Sequence, residues 1–189
     1  VGRLNADDWA RAALAALAEG GLAAVAVEPV AVRLGVSKGS FYWHFANRQA
    51  LVEAALAFWE RDTEAVIRHL EEIACPRERL RTLLELAFSD ETEAAVSFRL
   101  ISEADDPAIA EVARRVNERR LAFMTQTVAE IIGAEEAGNR VLAGYAGYLG
   151  RAALRRLGIV DGETGAMVEL ALSELLNDQE PGGSRTGER

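Results

Sequence analysis

The sequence predicts an all-α chain, and three observations carry that prediction. Alanine, leucine, glutamate and arginine, which lose little on entering a helix, dominate the 189 residues. Proline occurs four times, at Pro29, Pro76, Pro107 and Pro181, where helices can begin or have already ended. β-Branched residues cluster only around Val25 to Val32.

The first helix is expected from Ala6 to Glu19, with Asn5 as its cap, Asp7 and Asp8 in its first turn and Gly20-Gly21 as terminator. Trp9, Ala13, Ala16 and Leu17 share one face and predict its buried side. A short second helix spans Val27 to Leu34, with Pro29 in its first turn. After Gly35 and Val36 a third runs from Lys38 to His44. Two short helices around a glycine-containing turn, behind a longer supporting helix, make a helix-turn-helix.

A fourth helix starts near Asn47. Val52, Leu56, Trp59, Val66, Leu70 and Ile73, with Thr63 filling the gap, give it one apolar stripe over about six turns, long enough to lead into a second domain. Further helices are expected over Pro76 to Phe88, Glu91 to Ala104, Pro107 to Ile132, Glu136 to Leu157 and Glu163 to Asn177. In the last, Val168, Leu172 and Leu175 form one apolar line and Met167, Leu170 and Ala171 another, while Glu169, Ser173 and Asn177 keep a polar stripe. A helix apolar on two sides needs two partners, its own domain and a second subunit. The segments are residues 1–46, 47–178 and a polar, Gly/Ser/Pro-containing tail, 179–189, expected to be disordered.

Lys and Arg number 21 against 30 Asp and Glu, a net charge of -9, which as a bulk property argues against non-specific nucleic-acid binding. Divided at residue 50, the same charge gives +1 for the first part and -10 for the remainder, so the acidity belongs to the second part. A weakly positive head needs dimeric, two-site binding to hold DNA. One cysteine, Cys75, excludes an internal disulfide framework, and a reducing cytoplasmic setting is expected. The weakly polar run from Val141 to Gly150 falls short of the ~20 residues of a membrane span, and Arg3, Asp7 and Asp8 do not fit a signal peptide.

The stretch Gly35-Val36-Ser37-Lys38-Gly39-Ser40-Phe41-Tyr42-Trp43-His44-Phe45, followed by Asn47-Arg48-Gln49-Ala50-Leu51, resembles the DNA-binding signature of TetR/AcrR-type transcriptional repressors. Leu4 to Leu34, with Glu19-Gly20-Gly21-Leu22 and Val30-Ala31, is similar to the same family's first two helices. The resemblance is close over residues 4–55. It implies an N-terminal three-helix helix-turn-helix domain joined by a long fourth helix to a larger α-helical ligand-binding and dimerisation domain. It also implies a homodimer on double-stranded operator DNA, released by a small apolar or amphipathic effector, and no cofactor. Two departures stand out. Ala26 occupies the place of a capping Thr or Ser that touches phosphate, and Glu28 puts an acid near the DNA side of the second helix.

Ser37, Lys38, Gly39 and Ser40 lie at the start of the third helix, where free amides and a positive helix end suit a phosphate or a base edge. Lys38, the only lysine, can reach phosphate or guanine, and Ser40 can bond a base or the backbone. Tyr42 and His44 offer donors to phosphate, a role the resemblance implies for both. Trp43 offers either its face to a thymine methyl or its indole N–H to phosphate, and Arg48 a further phosphate contact. Phe41 and Phe45 are expected in the core. Glu28 would repel phosphate yet accept from a cytosine amino group.

In the larger domain, Trp59, Phe88, Phe98, Phe123, Met124, Tyr145 and Tyr148 are candidate walls of an effector cavity, with Trp59 first because its helix joins both domains; plain core packing is their alternative role. The resemblance implies dimerisation through the last two long helices. Gly144, Gly147 and Gly150 permit close backbone approach, across a dimer or within the subunit, and Gly144, Gly147, Val168, Leu172 and Leu175 are the candidate interface. Enzyme chemistry finds little footing. Neither His44 nor His69 follows a carboxylate at Glu-x-x-His spacing, and no phosphate loop or nucleophile elbow is present. The acids Asp90, Glu91, Glu93, Glu103, Asp105 and Asp106 are expected as caps and solvated surface rather than metal ligands. A helical dimer of the same fold acting through protein partners is the alternative function, motivated by Glu28 and the low charge of the head.

Overall fold

A computed structural model describes residues 4–160 and 164–176, so Arg3, Glu163, Asn177 and the tail 179–189 lie outside the described residues. The helices are α1 (Ala6–Gly20), α2 (Val27–Arg33), α3 (Lys38–Phe41), α4 (Arg48–Glu71), α5 (Pro76–Ser89), α6 (Glu91–Ser102), α7 (Pro107–Ile132), α8 (Ala134–Arg156) and α9 (Thr164–Leu176), with a single 3-10 turn at Leu22–Ala24. Among the described residues there is no strand, and no helix is long and apolar enough to cross a membrane. The fold is an N-terminal helix-turn-helix on a larger helical body, linked by α4.

Local chemistry fixes the ends. Asn5 and Asp8 form a reciprocal capping box on α1, at 3.0 and 2.9 Å. Asn47 caps α4, Asp90 caps α6 and Asp106 caps α7 through their side chains. Gly21, at φ +71°, ends α1, and a Cβ there would stand 2.1 Å from the Glu103 carboxylate. That carboxylate accepts the Leu22 N–H with both oxygens, at 3.0 and 3.1 Å, tying the end of α1 to the end of α6.

Two expectations need correction. The third helix closes as an α-helix at Phe41, and Tyr42 to His44 continue in tightened turns, with His44 N–H donating to the Phe41 carbonyl at 2.9 Å. The cause is packing. Phe41 and Phe45 stack at 5.5 Å in the core, and the chain must then reach the Asn47 cap. On α4 the stripe moves sideways past Thr63. Ile67 is buried, whereas Val66 is 37% exposed at the edge of a cavity, because six turns of a 3.6-residue helix drift relative to fixed neighbours.

The core crosses from head to body without interruption. Trp9, Leu17, Val30, Phe41, Leu51 and Trp59 are continuous with Val96 and Leu100 of α6 and Ile109 and Val116 of α7. A second cluster fills the space between α5, α7, α8 and α9. The acids Asp90 and Asp106 serve as caps as expected; Glu103 instead forms the clasp on Leu22.

Candidate nucleic-acid interface and interior cavity

On the outer face of the head Lys38 and Tyr42 share a depression with Val27, Glu28 and Pro29 of α2, and Trp43 follows in the chain. Trp43 is 85% and Tyr42 60% exposed, while His44 is half-buried against the Trp9 ring at 6.5 Å. Ser37 begins α3 without a side-chain cap bond, Gly39 is exposed and Ser40 is half-buried. Ala26 likewise caps α2 with no side-chain bond. Since α3 has one turn, its macrodipole contributes little and the attraction for an anion rests on side chains.

Those side chains are mostly neutralised. Lys38 Nζ donates to Glu28 Oε1 at 2.7 Å, a contact that holds the Glu28 carboxyl below its ordinary range and lifts Lys38, the hydrogen bond being the larger cause and the charge attraction the second. Arg33 pairs with Glu19 at 2.5 Å and Arg11 approaches Asp8 at 3.7 Å. Arg48 differs. Its Nε donates to the Val25 carbonyl at 2.6 Å and its Nη2 to the Leu22 carbonyl, so it clamps α4 to the turn before α2. Among the described basic residues of the head it alone has carbonyls rather than a carboxylate for partners. Read along the chain, Glu28 is a repulsive acid and nothing signals its pairing with Lys38. The ten-residue separation crosses a turn whose geometry only folding supplies.

In the body, a cavity of about 310 Å³ lies between α4 and α9 and is walled by Phe88, Phe123, Met124, Tyr145 and Tyr148, five of the candidate wall residues. Trp59 is not on that wall. It is buried behind a polar cluster, its indole N–H donating to Glu93 at 2.9 Å and its ring carrying the Arg120 guanidinium at 5.1 Å. Arg120 pairs with Glu93 at 2.6 Å and donates to Thr63 Oγ1 at 2.6 Å and Ser97 Oγ at 2.8 Å. Burial works to discharge Arg120, but the Glu93 carboxylate outweighs it and keeps the guanidinium firmly protonated. Tyr145 donates to Asn117 Oδ1 at 2.5 Å, and burial raises the phenols of Tyr145 and Tyr148. Asp62, at the rim, is raised by partial desolvation first and by the Glu93 carboxylate second. Glu93, expected as a cap or solvated surface, is instead drawn into this cluster by Arg120, Trp59 and Ser97, and Thr63 keeps its place in the buried stripe while accepting from Arg120. Arg120 and Asp62 carry no sequence signal, since each is an ordinary helical residue until α4, α6 and α7 converge.

Phe98 lines a different cavity, of about 330 Å³, at the junction of head and body.

Of the positions expected at the dimer face, the three on α9 are turned inward. A Cβ on Gly144 would meet Leu175 Cδ2 of the same chain at 3.1 Å, and Val168, Leu172 and Leu175 are buried in their own subunit. Gly144 is nonetheless exposed, and Gly147 is exposed with nothing within 4 Å of where a Cβ would stand. The outward row is instead Leu142, Ala146, Gly150, Leu154 and Leu157, at steps of four and three, with Leu170 on α9. That row is visible in the sequence as an i, i+4 series.

Residues 10–55 match the model of the bacterial regulatory proteins of the tetR family. No curated protein matches the chain. The chain is similar in structure to a transcriptional regulator from Saccharomonospora viridis solved with choline, with a TM-score of 0.74, 19% identity and coverage of 92% of this chain and 95% of that one. It is similar to the fatty acid degradation regulator FadR of Bacillus halodurans, with a TM-score of 0.70, 18% identity and coverage of 93% and 100%. A transcriptional regulator from Rhodococcus gives a TM-score of 0.69 at 22% identity, with coverage of 92% and 97%.

Proposed function

We propose, from the premise that this chain belongs through residues 10–55 to the bacterial regulatory proteins of the tetR family, that it is an operator-binding repressor released by a small amphipathic effector. Residues 1–46 form the reading head and residues 47–178 the regulatory and dimerisation body. The observation that carries the reading is the exposed set of Lys38, Tyr42 and Trp43 on a helix-turn-helix, rigidly linked by α4 to a body with an apolar cavity.

Lys38 reaches a guanine or a phosphate once its bond to Glu28 opens, and Glu28 is then free to accept from a cytosine amino group. Tyr42 and His44 donate to phosphate, and Trp43 packs against a base methyl or the backbone. Ser37, Gly39, Ser40 and Arg48 complete the contact surface. Two copies associate through α8 and α9 by the row Leu142, Ala146, Gly150, Leu154 and Leu157 with Leu170, beside the open Gly147, because large apolar groups such as Leu157, 71% exposed, otherwise face water. Half-sites about 34 Å apart then set the separation of the two recognition segments. An effector in the cavity between α4 and α9 pushes α4, whose other end is clamped to the head by Arg48, and changes that separation. The neighbours solved with choline and named for fatty acid degradation give amphipathic molecules a natural place at the head of an effector screen.

The test is a gel shift on DNA flanking the chain's own gene, at low salt, with wild type, Lys38→Ala and Tyr42→Phe. A specific shift lost in both variants supports the reading. The Lys38–Glu28 pair favours one competitor, a dimer acting through protein partners, and a wild-type chain that gives no specific shift would decide for it.

A further inference from the structure

We propose that the cavity at the junction of head and body is a second ligand site, one that takes a small carboxylate with an apolar flank. It is enclosed by Ala18 near the end of α1, by Phe98 and Arg99 of α6, and by Tyr148, Arg155 and Arg156 of α8, and it has a volume of about 330 Å³. One wall therefore belongs to the reading head and the others to the body.

Its charge is opposite to that of the effector cavity. Arg99, Arg155 and Arg156 line it, against Asp90 and Glu91. Glu91 is taken by Arg155, and Asp90 accepts the Glu93 N–H at 2.9 Å as the cap of α6. Among the described residues Arg156 donates to neutral acceptors, the α1 carbonyls of Ala18 and Glu19 at 3.4 and 3.1 Å, and not to a carboxylate. In the neighbouring cavity Asp62, Asp90 and Glu93 face one cation, Arg120, which is already bonded to Glu93, Thr63 and Ser97.

Arg99 points to the ligand. Its Nε is buried and has no hydrogen-bond partner, which is costly for a cationic donor. The nearby Glu103 carboxylate is committed to Leu22. A carboxylate within the cavity accepts from the Arg99 guanidinium in the fork geometry it favours, the side chain turning to bring its buried Nε to the ligand. Phe88, Phe98 and Tyr148 supply the apolar surface for the rest of the molecule. Bound there, the anion bridges α6 to the end of α1 that Arg156 already holds, and fastens the head in one attitude. The binding stands independently of the regulatory role; its effect on DNA rests on that role.

The test is thermal unfolding of the full chain, at fixed ionic strength, with phenylacetate, phenethyl alcohol and phenethylamine. Phenylacetate at about 10 mM is expected to raise the midpoint by mass action, and the alcohol and amine to have little effect. Arg99→Gln is expected to weaken the response at least about tenfold. Arg99→Met should abolish it without lowering the ligand-free midpoint, because the variant removes an unmet donor. Equal responses to all three probes, no response to phenylacetate, or an Arg99→Met chain that loses stability but keeps the response would overturn the site. Phenylacetate binding that leaves operator affinity unchanged would overturn the coupling to the head alone; a chain that binds no operator DNA at all would instead count against the repressor reading, with the thermal measurement still deciding the site.

Discussion

Two ion pairs of nearly equal length do opposite work in this molecule. Lys38–Glu28 spans 2.7 Å on the open face of the head, with both side chains more than half exposed, and Arg120–Glu93 spans 2.6 Å inside the body, with both largely buried. In water the first pair is screened and dispensable, and a competing phosphate or base edge can open it. The second has lost its solvation and survives through additional bonds to Thr63, Ser97 and Trp59. The distance therefore says little about a pair's energy; its surroundings decide whether it holds the fold or waits for a partner.

The largest expected effect follows from breaking the buried pair. Arg120→Met leaves Glu93 without its cation, and chemical denaturation should find a loss of about 3–5 kcal/mol. A loss near zero would mean that water reaches the pair and that the contrast fails. Lys38→Ala probes the other side. Its thermal midpoint should match wild type while operator affinity falls at least about tenfold, measured by fluorescence anisotropy. Equal affinity would remove Lys38 from the interface.

Glu28→Gln should act more gently and with opposite sign. Freed from its carboxylate, Lys38 becomes available to any phosphate, so non-specific DNA affinity should rise several-fold and the log–log salt slope should steepen by about one. An unchanged slope would show that the pair is already open in solution. The smallest effect is expected at Asp62, whose carboxyl is raised by partial desolvation and the Glu93 charge. A raised carboxyl favours the folded state while protonated, and that contribution is lost as pH climbs through the folded value. Asp62→Asn should therefore raise the midpoint slightly at pH 7, and the advantage should vanish below the carboxylate range, as pH-dependent melting would reveal.

Much of the fold is legible in the sequence. The caps Asn5, Asn47 and Asp106, the prolines at the starts of α5 and α7 and the terminating Gly21 are local devices, and each acts where its position in the sequence implies. That at least one of residues 42 to 44 faces outward is legible, since they turn through most of a helix and cannot all be buried together; that the outward pair is Tyr42 and Trp43, with His44 half-buried, is decided by packing. Trp59 misleads because a large indole on a linking helix fits an effector wall as well as it fits a core; the Glu93 and Arg120 that claim it come from α6 and α7. The last helix is ambiguous for a related reason. A helix that is apolar on two sides does not declare which side its own domain will take, and here the Val168, Leu172 and Leu175 side packs inward, Leu175 against Gly144.

By itself, then, the sequence determined the helices, the ends that carry a cap, proline or glycine, the helix-turn-helix and the division of charge between head and body, because these depend on neighbours within a few residues, whereas the end of α3 was set by packing. The tertiary structure decided which charges are spent and which remain available. Glu28 meets Lys38 across a turn, Glu93 meets Arg120 across two helices, and Arg99 is left without an acceptor at the junction. The reason is physical: a side chain's charge is inherited from its residue type, whereas its solvation and its partners exist only once distant segments have packed.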